Sequence, residues 1–242
     1  NDRVRLSVGA FGNQRFGSEE SFEQVRPVLS LTVRGRRSAF VFGTLPAVGV
    51  TTPPGPDRGG PHGLLPPLQR ETLAYERPYE AGLAWTFSGQ RVRQDFWLEW
   101  QKLNTPDHRE RFDGGVNASF RVTDALTLPM QLHVVHEGGQ LYSSGAVADS
   151  AAAAIGADFH ATLAGGYVTV LELFGLLSRY VPDRSQPDRS RDGTAFFARA
   201  SGERLGWRGH AIVWRGRNFI KDEGDQNYLS LTRSMQRYRG TR

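Results

Sequence analysis

Cysteine is absent from the 242 residues. No disulfide, thiolate nucleophile or cysteine-ligated metal is therefore available. Long apolar runs are missing too. The best candidate, Ala151 to Leu163, is broken by Asp158 and His160 and falls short of the roughly 18 residues a spanning helix needs. This excludes a helical membrane protein. It leaves a β-barrel untouched, because only alternate residues of a barrel strand meet lipid. Lysine is nearly absent, with only Lys102 and Lys221 among the 30 basic residues. Arginine thus carries the net charge of +5, and its planar fork suits carboxylate and phosphate. Acids are interspersed with the arginines along the whole chain, which argues against nucleic acid as a partner. The chain opens at Asn1 with no initiator methionine or visible signal peptide, as a mature or trimmed product would.

What is there is alternation. From Tyr79 the series Tyr79, Ala81, Leu83, Trp85, Phe87 opposes Glu80, Gly82, Ala84, Thr86, Ser88. After a turn, Phe96, Leu98 and Trp100 oppose Asp95, Glu99 and Gln101. Period two marks strands with two unlike faces. The same reading predicts strands over 3–11, 23–34, 38–45, 78–88, 91–103, 111–122, 126–137, 147–163, 167–180, 194–201, 207–215 and 227–238. Short turns alternate with long loops between them. That rhythm, with several strands near the roughly 9–11 residues needed to cross a bilayer, predicts an all-β, up-and-down antiparallel transmembrane barrel of about twelve strands. Residues 1–242 form one domain in this reading, with a Pro/Gly-rich loop at 46–77.

Three stretches resist the scheme. Tyr167 to Tyr180 is apolar on both faces, as a buried helix or a strand packed on something in the lumen would be. Pro129 interrupts a strand, which costs a ladder hydrogen bond. Ala151 to Ala154 is also compatible with helix.

The two faces define the candidate residues. Leu83, Trp85, Phe87, Phe96, Leu98, Trp100 and Phe120 are expected to face lipid. Opposite them, Arg91, Arg93, Asp95, Glu99, Arg111, Asp113, Asn117, Arg121, His133, Glu137, Asp158 and His160 are expected to line a lumen. Such a wall sets selectivity for small polar or anionic solutes, or its charges pair across strands and fill a narrow barrel. Asp158 and His160 share a face but stand nearly 7 Å apart along the chain. His133 and His136, three apart, fall on opposite faces, so no shared metal is expected. No cofactor is expected either. No GxSxG occurs; a lipid hydrolase needs a Ser–His pair on the outward face, for which Ser201 and His210 are available. "KDEGDQN", Lys221 to Asn227, lacks the spacing and closing Glu of a calcium loop and reads as a solvated loop. "PDRSQPDRSRDG", Pro182 to Gly193, reads as an external loop. With the 46–77 loop, the 181–193 loop is where outer-membrane protein partners would dock; the 46–77 loop could instead enter the barrel.

As a whole the chain resembles bacterial outer-membrane β-barrel proteins. The strand rhythm carries the resemblance over nearly the full length. More locally, "RPVLSLTVRGRRSAFVFGTL", "HGLLPPLQ", "RPYEAGLAW", "DFWLEWQK" and "GRNFIKDEGDQNY" are similar to segments of porin-like proteins of the Bacteroidota and related phyla. The resemblance implies the bacterial outer membrane and contact with its lipid, and it transfers no catalytic residue. One departure is the ending "QRYRGTR", where such barrels end on an aromatic residue; a short tail or a fragment of a larger barrel accounts for it. The resulting expectation is a porin-like channel for passive passage, not an enzyme. The alternatives are a plugged barrel anchoring an assembly and an outer-membrane lipid hydrolase. The rival fold is a soluble β-sandwich or carbohydrate-binding module.

Overall fold

The computed structural model describes residues 3–14, 17, 24–45, 61–142, 144–163 and 167–230. Among these, eleven strands form one sheet in which each strand pairs with the next in the chain. They are β1 (Val4–Asn13), β2 (Gln24–Arg34), β3 (Ser38–Thr44), β4 (Ala81–Ser88), β5 (Val92–Lys102), β6 (Glu110–Arg121), β7 (Leu126–Gly138), β8 (Ala148–Leu163), β9 (Tyr167–Val181), β10 (Arg191–Arg204) and β11 (Trp207–Arg217). All pairings are antiparallel, so the predicted up-and-down topology is what the chain adopts. Among the described residues β1 and β11 do not pair with each other. The twelfth predicted strand lies largely outside the described residues; Gln226–Tyr228, near its start, forms a 3-10 turn.

The alternation gives the sheet two faces. Outward stand Trp85, Trp100, Phe120, Met130, Ile155, Leu171, Leu177 and Phe196, all exposed. A contiguous apolar surface of this kind calls for an apolar neighbour. No helix among the described residues is long and apolar enough to cross a membrane, which says nothing about crossing by strands. Inward stand Val41, Ala84, Trp97, Val135, Ala152, Ala154, Phe174, Leu176 and Phe197, all buried.

Two stretches of chain bury that inner face. One is 61–77, which ends in the single-turn helix α1 (Leu73–Glu76). The other is 218–228. Leu64, Leu65, Leu68 and Phe219 share one core with Trp97, Phe174 and Phe197. Irregular backbone inside a protein needs partners for its N–H and C=O groups, and the sheet supplies them. Gln131 Oε1 accepts from Leu65 N at 2.9 Å, and Asn117 Nδ2 donates to His62 O at 2.9 Å. The two stretches also bind each other, Arg70 N to Glu223 O at 2.8 Å and Asp225 N to Pro66 O at 2.9 Å.

This inner packing explains what resisted the pattern. β9 is apolar on both faces because Phe174 and Leu176 pack inward while Leu171 and Leu177 remain outside. Ala151 to Ala154 is strand, its small side chains leaving room for the inner segments. The β7–β8 ladder skips Leu128 and Pro129, where the N–H is missing. "KDEGDQN" is not a solvated loop: Lys221 and Glu223 are buried. Gly115 has no Cβ because one would lie 2.5 Å from the Trp97 ring.

Candidate functional site

β7 carries two histidines three positions apart, and the pleat sends them to opposite faces. Each meets an aspartate from a neighbouring strand.

The inner pair is His133 with Asp113 of β6, Nε2 to Oδ2 at 2.9 Å. The other ring nitrogen, Nδ1, is bound to Leu68 O at 3.0 Å. Trp97 Nε1 donates to the second Asp113 oxygen at 3.0 Å. Around them Glu223 accepts from Arg77 at 2.7 Å and from Arg111 at 2.9 Å. Arg111 also reaches Glu137 at 3.1 Å and Asp222 at 3.4 Å. Lys221 Nζ donates to Ser150 O at 3.2 Å and Asp222 O at 2.8 Å. Burial pushes the Lys221 ammonium down to about 8, against which the surrounding carboxylates act. Burial likewise opposes charge on Arg77, but Glu223, with Glu99 and Asp113, more than offsets it and holds the guanidinium above its ordinary value. Glu223 adopts φ 71°, a left-handed conformation costly for a residue with a side chain; its two arginine partners hold it there.

His62 completes the interior. Its ring stacks on Trp97, centroids 3.7 Å apart, and its nitrogens lie 3.2 Å from Glu80 and 3.7 Å from Asp95. Burial lowers its affinity for a proton, yet the two carboxylates win and raise it to about 10. One ligand atom each of Asp113, His133 and Glu223 lies within 4.8 Å of the others, a spacing that could hold a metal ion. Arg77, Arg111 and Leu68 already occupy these groups, so the cluster is a closed ion-pair network.

The outer pair is His136 with Asp149 of β8, Nδ1 to Oδ1 at 2.7 Å. A carboxylate oxygen only accepts, so Nδ1 carries a hydrogen, and in the neutral imidazole the lone pair is then on Nε2. Arg184 grips the same carboxylate with two bonds, 2.6 and 2.8 Å. Phe112 flanks the imidazole, ring centroids 5.0 Å apart. The cross-strand register produces this row, with Phe112 opposite His136 and His136 opposite Asp149. Nε2 faces Gly138, where a Cβ would lie only 2.4 Å away, so the ring fits there only against a glycine. Arg109 fastens the adjoining loop through the carbonyls of Gly139, Ser144 and Gly145. An aspartate that fixes a histidine's tautomer, with no partner on Nε2 among the described residues, is the arrangement of a general base.

The residues expected to line a lumen lie, Arg91 apart, on the sheet face that 61–77 and 218–228 cover. Arg91 lies in the β4–β5 turn, outside either strand. Arg93, Arg121 and His160 sit exposed at the turn edge, while Glu99, Asp113, His133 and Asp158 are buried. Arg111, Asp113, His133 and Glu137 meet in the ion-pair network. Asp95 meets His62. Asp158 lies opposite Glu172, which pairs with Arg199. Leu83, Trp85, Phe87, Phe96, Leu98, Trp100 and Phe120, expected to face lipid, alternate with these inner residues on the opposite face of the sheet. Ser201 and His210 stand directly opposite each other, but on the inner side with Arg199, which corrects their expected outward use. The sequence reading missed Trp97, His62, Arg77 and Glu223, and the pairing of His136 with Asp149. Trp97 carried a signal, an indole N–H on an otherwise polar face, which needs an acceptor.

The whole chain, residues 1–242, matches the family described as lipid A 3'-O-deacylase-type. No curated protein and no solved structure matches the chain. Deacylases are enzymes, so the match overturns the expectation of a protein without catalysis. It supports the lipid hydrolase among the alternatives, and it lends nothing to porin-like transport of small solutes.

Proposed function

The chain belongs to the lipid A 3'-O-deacylase-type family, and on that footing we propose that it is an outer-membrane hydrolase that removes an ester-linked acyl chain from a lipid A-type glycolipid. The observation that carries the reading is the family match over residues 1–242. The barrel-type sheet with its apolar outer face supports a place in a Gram-negative outer membrane. In such barrels the long loops face the exterior, and His136 and Asp149 stand at the loop ends of their strands. That is the level of the leaflet holding lipid A.

In this reading His136 is the base. Its Nε2 takes a proton from water as the oxygen adds to the ester carbonyl carbon. Asp149 holds the ring in the productive tautomer and stabilises the imidazolium that forms. Arg184 is the cation beside the dyad. The tetrahedral intermediate then collapses, the C–O bond to the sugar breaks, and His136 returns the proton to the leaving oxygen. The products are a fatty acid and a free sugar hydroxyl. His133 cannot serve in this way, since both its nitrogens are occupied in the interior.

The test is mass spectrometry of lipid A incubated with the purified chain in detergent. Release of one ester-linked chain, lost in His136→Ala, is the expected result. Intact lipid A with the wild-type chain would sink the activity; undiminished release by the variant would sink the site.

A further inference from the structure

Arginines collect at the turn-side edge of the first half of the sheet. Arg3 and Arg34 sit at paired strand ends, Arg34 N bonding Arg3 O at 2.6 Å. Arg36 and Arg37 form the β2–β3 turn, and Arg37 O accepts from Ser88 N at 2.7 Å. Arg91 forms the next turn and its carbonyl accepts from Arg121 N, also at 2.7 Å. The six thus run along adjoining strand ends from β1 to β6, and all are exposed. Among the described residues this edge has one ion pair, Arg121 with the fully exposed Asp124 at 4.0 Å. The loop edge is different: there Arg77, Arg111, Arg179 and Arg184 each hold a carboxylate.

Two further features sit on the same edge. Phe40, Trp85 and Phe120 are exposed on the outer face of these strands, and Phe120 directly precedes Arg121. Between the β4–β5 and β6–β7 turns a pocket of about 570 Å³ is lined by Gln90, Arg91, Arg121, Val122, Thr123 and Asp124. Aromatic rings below a row of exposed cations is the pattern of a membrane interface, with rings at headgroup level and cations beside anionic headgroups. A soluble anion would need only the cations.

We propose that this arginine edge binds the phosphate headgroups of anionic lipids in the leaflet that lies against the short turns. The inference rests on the outer-membrane reading above. Arginine forks match phosphate oxygens in pairs, and a row of them offers several headgroups at once.

The test places the full chain in phosphatidylcholine vesicles containing spin-labelled phosphatidylglycerol or spin-labelled phosphatidylcholine. Resistance to carbonate extraction reports insertion. The expected result is a preference for phosphatidylglycerol of roughly fivefold or more, reduced by salt and unchanged by inorganic phosphate. The variant R34Q/R36Q/R37Q/R91Q should lose the preference while keeping heat-modifiable gel migration, the sign of an intact barrel. An inserted chain with no preference, or a variant that retains it, overturns the inference alone. Displacement by inorganic phosphate also overturns it, in favour of a free-anion site. A chain extracted by carbonate overturns the membrane reading as well.

Discussion

The two histidine–aspartate pairs of β7 share a strand, a chemistry and nearly the same length, 2.9 and 2.7 Å. They differ in what surrounds them. His133 has no exposed surface and both nitrogens engaged; Nε2 of His136 has no hydrogen-bond partner among the described residues and lies at an edge beside a glycine. The inner pair is a brace, and the outer pair is the one proposed to react. A motif alone would not separate them, because what decides is whether a lone pair is left over.

The largest test of this contrast is His136→Ala. It should cut acyl release by roughly a thousandfold and leave the protein's thermal midpoint in place. Asp149→Asn comes next. It frees the wrong tautomer while preserving shape, and should cost roughly a hundredfold in turnover, read in the same assay. Asp113→Asn should reverse the pattern. Breaking a buried charged pair costs about 3–5 kcal/mol, so heat-modifiable migration should shift at a markedly lower temperature with turnover in the surviving fold nearly intact. Lost turnover at an unchanged midpoint would transfer the chemistry to the inner pair. Gly138→Ala is a smaller intervention. Its methyl crowds Nε2 and should lower kcat/KM roughly tenfold with little change in melting.

The smallest effect is that of pH on the inner brace. His62 binds its proton more tightly in the fold, at about 10 against an ordinary 6.5. Its contribution is complete below pH 6.5 and declines as pH rises toward 10. Lys221, held down to about 8, acts the other way, adding stability from pH 8 upward. Between 6.5 and 8 only His62 titrates of these two, so the melting midpoint should fall over that interval. His62→Gln should flatten the slope.

Much of the wall was legible in the sequence. Strand order and face follow from period two and turn spacing, because each strand's pattern is local. Leu83, Trp85 and Phe96 reveal their side without knowledge of any partner. The interior was not legible. His62, Arg77 and Glu223 lie in segments with no periodicity, and what they meet is set by contacts as far as 146 residues apart, as between Arg77 and Glu223. His136 and Asp149 were both visible, but their pairing depends on the β7–β8 register. Pro/Gly content marked 46–77 as a loop; within its described part, 61–77, Leu64, Leu65 and Leu68 needed the apolar wall of Trp97, Phe174 and Phe197 before their place could be known.

The Arg77–Glu223 contact has a bearing on how the molecule is made. Glu223 follows β11, so the clasp that secures 61–77 cannot close until all eleven described strands have been synthesised. Contacts this distant in sequence form late, after the entropy of closing a long loop has been met. A nascent chain halted before residue 223 would hold its early hairpins but an unfastened interior. The clasp is thus a record of completion, and agents that survey unfinished barrels could distinguish the two states by whether the stretch around Leu64 is still loose.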